Sequence, residues 1–278
     1  MVKKMNDTEK TREFIRKRYG EIAEGQGGCG CAPGCCCGSA PADTAKAAEA
    51  LGYTKDDLDG VAKRANLGLG CGNPVALAAL REGETVVDLG SGGGFDCFLT
   101  AERVGATGRV IGVDMTPEMV SLARANAAKG GYANVEFRLG EIEHLPVADA
   151  TADAVISNCV INLAADKQQV FFEAFRVLRP GGRLSVSDVV ATAELPEDIK
   201  KDPAMTAGCV AGAVYAEDIR RMLEKAGFTG IRMAPKDNSR EILSSWAFGD
   251  RVEDYVAAYL IEAVKPDAGC CGCGCGGC

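Results

Sequence analysis

The sequence predicts an α/β fold built on a doubly wound, mainly parallel sheet, and three observations predict it. From about Thr85 onward, short apolar runs alternate with helical stretches. A glycine-rich turn follows the first of those runs and opens a helix. The chain, at 278 residues, is long enough for one such domain with a smaller appended piece. Apolar residues make up 47% of it, which excludes a mainly disordered protein.

Taken in order, Thr8–Glu24 places Arg12, Ile15, Tyr19, Ile22 and Ala23 at helical spacings, and the run ends near Gly25. A short helix, Ala42–Leu51, is expected next, with Asp43 as its cap. Thr85–Leu89 is the first strand, Phe95–Val104 a helix, and Arg109–Val113 the second strand. Pro117–Lys129 is a helix whose proline suits its first turn, followed by a strand at Val135–Leu139. Ala152–Ser157 is a strand, Lys167–Leu178 a helix stopped by Arg179-Pro-Gly-Gly182, and Arg183–Val189 a strand. Beyond Asp188 the pattern changes. Glu217–Ala226 is a helix ended by Gly227, short strands follow, and Val252–Val264 is expected to be a final helix. The resulting organisation is a helical N-terminal segment with a cysteine-rich loop (1–60), a ligand-binding domain (61–190), a C-terminal lid region (191–265) and a cysteine-rich tail (266–278).

The formal net charge is −8 and no basic stripe is visible, so a nucleic-acid partner is not expected. The first residues, Met1 to Asp7, lack the apolar core of a secretory signal, and no apolar run approaches the roughly eighteen residues a membrane helix needs. A cytoplasmic monomer is the expectation. Disulfides in that compartment are mostly transient or catalytic, so fourteen cysteines need a chemical explanation. Cys29, Cys31, Cys35, Cys36 and Cys37 cluster near the N-terminus, and Cys270, Cys271, Cys273, Cys275 and Cys278 close the chain. Cys71, Cys97, Cys159 and Cys209 stand alone. The one histidine, His144, sits in a polar turn and reads as a surface residue, which argues against histidine-based catalysis.

The turn Asp88-Leu-Gly-Ser-Gly-Gly-Gly94 spaces its residues as D-x-G-x-G-x-G. A dinucleotide fingerprint would want a glycine where Phe95 stands. The second strand ends in Asp114, placed to accept from two ribose hydroxyls, and Gly140-Glu-Ile-Glu-His-Leu-Pro146 follows the third. In this order the three segments resemble the class I S-adenosylmethionine (SAM)-dependent methyltransferases, with their Rossmann-like fold. The resemblance implies that Gly90, Ser91, Gly92, Gly94, Met115 and Asn158 line the cofactor. It also implies that Asp88 orients the methionine end, that Glu141 or Glu143 accepts from the adenine amino group, and that Ile142 packs on the ring.

Three further segments hold isolated cysteines: Asn66-Leu-Gly-Leu-Gly-Cys-Gly-Asn-Pro74, Ser157-Asn-Cys-Val-Ile-Asn-Leu163 and Ala207-Gly-Cys-Val-Ala-Gly-Ala213. With Gly112-Val-Asp-Met-Thr-Pro-Glu-Met119 they resemble the arsenite SAM methyltransferase family, over roughly Ala48 to Phe228. The resemblance implies that Cys159 and Cys209 hold arsenic throughout, and that Cys71 supplies a third thiolate and a redox partner. It also implies a further upstream cysteine in a disulfide, for which Cys35, Cys36 and Cys37 compete. Arsenite and methylarsenite would be the substrates, and thioredoxin or a glutathione-like small thiol the reductant. The chemistry agrees: soft thiolates suit thiophilic As(III), and an arsenic lone pair needs no general base to attack a methyl group. Cys97 reads instead as a small buried apolar residue with nothing to pair with it. Two other readings remain: a methyltransferase for another small acceptor such as a quinone or sterol, and a metal-sequestering protein whose cysteine clusters do the work.

Overall fold

Val86, Val87 and Leu89 of the first strand, β1 (Thr85–Leu89), have no exposed surface, as befits a central strand covered on both faces. The computed structural model describes residues 7–25, 44–60, 65–67, 70–246 and 252–267. Within them β1 is joined by β2 (Arg109–Asp114), β3 (Val135–Leu139), β4 (Ala152–Asn158), β5 (Leu178–Ala191), β6 (Thr229–Pro235) and β7 (Val256–Val264). All seven form one sheet in the order β3-β2-β1-β4-β5-β7-β6. The five strands from β3 to β5 are parallel, and only β7 runs antiparallel to its neighbours.

The helices are α1 (Asp7–Ala23), α2 (Thr44–Leu51), α3 (Lys55–Gly60), α4 (Pro74–Leu77), α5 (Phe95–Val104), α6 (Pro117–Gly130), α7 (Lys167–Val177), α8 (Glu197–Lys201), α9 (Pro203–Ala207), α10 (Ala216–Ala226) and α11 (Ser239–Ser245). One face of the sheet buries Phe98, Val104 and Ala123 from α5 and α6; the other buries Val170, Phe171 and Leu223 from α7 and α10. This is the doubly wound arrangement the alternation predicts. Side-chain caps fix several starts. Asp166 accepts from the Gln169 amide at 3.0 Å to begin α7, and Asn73 accepts from the Ala76 amide at 3.0 Å to begin α4.

Two expectations are corrected. The final helix expected over Val252–Val264 is a short 3-10 turn (Val252–Asp254) followed by strand β7. Val256, Ala258, Ile261 and Ala263 are buried there, and the strand fills the gap between β5 and β6. Pairing on both edges outweighs the helix propensity of its alanines, leucine and glutamate. The Arg179-Pro-Gly-Gly182 turn does end α7, but it does not precede the strand. It interrupts β5, where pairing with β4 jumps from Ala152–Leu178 to Ala154–Arg183. The proposed cap Asp43 and both cysteine clusters lie outside the described residues. Among the described residues no helix is long and apolar enough to cross a membrane.

Candidate active site

The carboxyl ends of β1, β2, β4 and β5 converge on two adjoining rims. On the first, the turn after β1 holds Gly90 and Gly94 at φ 71° and 95°, in the left-handed region. A Cβ on Gly90 would lie 2.5 Å from the Val160 side chain, so only glycine fits. The Gly92 amide donates to Asp114 at 2.9 Å, and the Thr116 amide donates to the other Asp114 oxygen at 2.8 Å. Asp88 and Asp96 are both buried. Asp88 accepts from the Cys97 thiol at 3.2 Å, so the expectation that nothing pairs with Cys97 is overturned. Asp96 accepts from the Tyr53 hydroxyl at 2.5 Å and from the Asn158 amide nitrogen at 3.1 Å. Burial, then the charge of Asp96, pushes the Asp88 carboxyl well above the usual range; burial raises Asp96 to about 6 against its two hydrogen bonds.

Two buried acids with no cation acting on them make a well for a positively charged ligand. The Ser91 hydroxyl is buried beside them without a partner. A ligand bearing an ammonium and a sulfonium, as the expected cofactor does, fits this donor and acceptor set. Glu141 and Glu143 lie where the sequence places them, after β3, but helix α1 already engages their carboxylates. Arg12 pairs with Glu141 at 3.3 Å and with Glu143 at 3.2 Å, and Arg16 with Glu141 at 3.4 Å. Ile142 is buried in the core on the α7 face, and Met115 is half-buried.

The second rim holds the thiols. Cys71, Cys159 and Cys209 come from three distant segments yet share one apolar cluster with Val189, Met205 and Leu243. All three are reduced and buried. The Cys71 and Cys209 thiols both act on the Cys159 thiol. The Cys209 thiol donates to the Cys159 carbonyl at 2.7 Å, and Cys71 Sγ lies 3.5 Å from the Ser187 hydroxyl. Those neighbouring thiols, then burial, hold the Cys159 thiol well above its ordinary pKa. Cys209 is eased downward by Cys159, but burial and Asp188 leave it raised. Cys159 and Cys209 also carry left-handed backbones, at φ 58° and 63°. For a residue with a Cβ that costs about 1 kcal/mol or more each, and such strain concentrates at functional sites. Among the described residues no group of three His, Cys, Asp or Glu side chains is set to hold a metal ion.

Asn158, expected at the cofactor, is a hub between the rims. Its oxygen accepts from the Cys71 amide at 3.0 Å, while its nitrogen reaches Gly72 O at 2.8 Å, the Tyr53 hydroxyl at 3.0 Å and Asp96. The sequence reading missed Tyr19, Tyr53, Asp96, Lys167, Asp188 and Lys236. Tyr19 on α1 is buried, donates to Ala207 O at 3.0 Å, and is acted on by Cys209, Cys159 and Asp114, so α1 bridges the rims. Asp188 was detectable as a lone acid in an apolar strand. It accepts from the Ile161 amide at 2.9 Å and the Asn162 amide nitrogen at 3.0 Å, and burial raises it to about 6. Lys167 reaches Ala164 O at 3.2 Å and is acted on by Asp188 and Cys209. His144 is exposed, as expected. Cys35, Cys36 and Cys37 lie outside the described residues.

A family profile described as a methyltransferase domain matches residues 80–227. An arsenite methyltransferase of Halobacterium salinarum is 54% identical over 267 residues, covering 94% of this chain and 68% of that protein. One from Aquipseudomonas alcaligenes is 42% identical, covering 69% of this chain and 57% of that protein. The crystal structure of an arsenic(III) S-adenosylmethionine methyltransferase from Chlamydomonas reinhardtii superposes with a TM-score of 0.58 at 34% identity, covering 82% of this chain and 75% of that one. The chain thus spans about two thirds of the first of these relatives and less of the second.

Proposed function

The chain belongs to the arsenite methyltransferase family of SAM-dependent enzymes, and from that premise we propose that Cys71, Cys159 and Cys209 capture arsenite as a tristhiolate and present it to the cofactor. The observation that carries this reading is the meeting of three buried thiols from distant segments beside the strand-end carboxylates.

Each thiol replaces one arsenic hydroxyl, its proton leaving with that hydroxyl as water, so three sulfur–arsenic bonds form and three waters depart. Bound SAM supplies an electrophilic methyl group on a sulfonium. Asp88 and Asp96 would face its cationic end, Gly90 to Gly94 would let its chain approach the backbone, and Asp114 would take the ribose. The apolar cluster around the thiols excludes water and fixes the direction of the arsenic lone pair, so orientation supplies most of the rate. No base is needed, which suits a chain with one exposed histidine. The methyl arrives as CH3+, and arsenic becomes formally pentavalent. Two thiolates closing to a disulfide return two electrons to arsenic. We assign this to Cys71 with one of Cys35, Cys36 or Cys37, reset by thioredoxin or a small thiol. A methylated arsenic keeps two exchangeable positions, so Cys159 and Cys209 suffice to hold it in the second round, whose two electrons the small-thiol reductant supplies. We place the protein in the cytoplasm as a monomer, in contact with neither membrane nor nucleic acid.

Transfer of labelled methyl from SAM to arsenite, with a thiol reductant present, tests the reading in the purified protein and its Cys159→Ser variant. Methylated arsenic from the wild type alone is the expected result. No product despite bound SAM would point to another small acceptor.

A further inference from the structure

The loop carrying Cys71 belongs to no strand, and side chains from elsewhere hold it. Asn158 grips it on the side of the cofactor rim, through the Cys71 amide and the Gly72 carbonyl. The opposite grip is Lys236, which follows β6 and lies outside the matched methyltransferase domain. Its amide donates to Ala258 O at 2.8 Å, which anchors it to β7. Its ammonium donates to Leu51 O, the last carbonyl of α2, at 3.0 Å, and to Cys71 O at 3.4 Å. Gly72 packs so closely here that a Cβ would meet the ammonium at 3.1 Å and the Ser187 hydroxyl at 2.1 Å. Among the described residues, the ionisable group that acts on this half-buried cation is the Cys71 thiol, and no carboxylate does. A half-buried ammonium that donates to backbone carbonyls of two separate segments is a clamp between them.

We propose that Lys236 is a positioning residue for the first methylation, holding the Cys71 loop against α2 so that the third thiol stays beside Cys159 and Cys209. The inference rests on the proposed role of Cys71 as the third arsenic ligand, and it goes beyond that role by making substrate choice depend on a residue of the C-terminal region. Arsenite needs three thiolates, whereas methylarsenite needs two. A loosened Cys71 loop therefore penalises only the first substrate. Asn158 also touches Asp96 and Tyr53, so its loss would disturb the cofactor as well. Lys236 touches the loop from the far side and separates the two effects.

The test measures kcat/KM for arsenite and for methylarsenite, and KM for SAM, in the Lys236→Met, Lys236→Arg and Cys71→Ser variants. Lys236→Met is expected to lower arsenite turnover about tenfold, the size of a lost charged hydrogen bond. Methylarsenite turnover should stay within about twofold and KM for SAM unchanged. Lys236→Arg keeps the charge and should retain most of the arsenite preference. An equal fall on both substrates, in either lysine variant, would reduce Lys236 to a structural role and overturn the proposal. Unchanged arsenite turnover in Lys236→Met would overturn it too. If Lys236→Met does not bind SAM and so has not folded, Lys236→Arg decides: with normal SAM binding, a fall in arsenite turnover larger than the fall in methylarsenite turnover supports the clamp, and an equal fall or none sinks it. Cys71→Ser separates the two layers. Full arsenite activity there means the third-ligand reading has failed, whereas loss there with none in Lys236→Met means only the clamp has failed.

Discussion

The two rims of the site use the same backbone conformation on different residues. At the cofactor rim the left-handed region is occupied by Gly90, Gly92 and Gly94; at the thiol rim it is occupied by Cys159 and Cys209. Glycine enters that region at little steric cost, while a cysteine there costs about 1 kcal/mol or more. On the proposed reading, the cofactor rim offers its backbone as the binding surface, so the side chain is dispensable. The thiol rim would offer the side chain, so the fold tolerates strain to keep it. The rims also differ in charge. One concentrates buried carboxyls; at the other, neighbouring thiols and burial raise Cys159, and burial and Asp188 leave Cys209 raised.

The largest effect should come from the strained cysteines. Cys159→Ser or Cys209→Ser should lower methylation of both arsenite and methylarsenite at least about a thousandfold, as loss of one member of a catalytic unit does. Wild-type turnover by either variant would remove the pair from the mechanism. Cys71→Ser should be selective, stopping arsenite methylation while leaving methylarsenite within a few-fold of wild type. The backbone half of the comparison has its own check. Urea denaturation should find Cys159→Gly more stable than Cys159→Ala by about 1 kcal/mol, the reverse of their ranking in ordinary helix or strand. Equal stabilities would mean the backbone relaxes and carries no strain.

The carboxyl rim gives a smaller, pH-dependent effect. Asp96 sits at about 6 in the folded protein, above the ordinary 3.8 of an aspartate. The unliganded fold therefore binds the extra proton across that window. The Asp96 contribution to stability is lost as pH rises from about 4 to about 6, and changes no further above that. SAM affinity should move the other way, tightening as the carboxylate forms to face the cationic ligand. Calorimetric titration from pH 5 to 7 would show this trend in the wild type and a flattened one in Asp96→Asn. The smallest effect is expected at Arg12→Ala. It removes partly exposed ion pairs to Glu141 and Glu143, and should change SAM affinity by about threefold or less.

The parallel half of the sheet was legible in the sequence because each strand is a short apolar run punctuated by turn residues, from Thr85 to Val189. The three thiols were legible because they sit alone in unusual glycine- and asparagine-bearing segments. What escaped was whatever depends on tertiary partners. The run Val-Ala-Ala-Tyr-Leu-Ile-Glu-Ala-Val has no local reason to be a strand, and becomes one because β5 and β6 leave a slot between them. Lys236 and Tyr53 reach the site from segments with no motif of their own. Cys97 is buried in the apolar core as expected, and only its partner escaped, because Asp88 lies across the turn that opens its helix.

Helix α1 lies across the carboxyl ends of the strands, pinned at one end by Arg12 and Arg16 to the loop after β3 and at the other by Tyr19 to Ala207. An exit for the spent cofactor past α1 would have to break those contacts in each cycle, and release rather than methyl transfer would then set the pace. Steady-state rates that fall as solvent viscosity rises, beside single-turnover rates that do not, would be its kinetic signature.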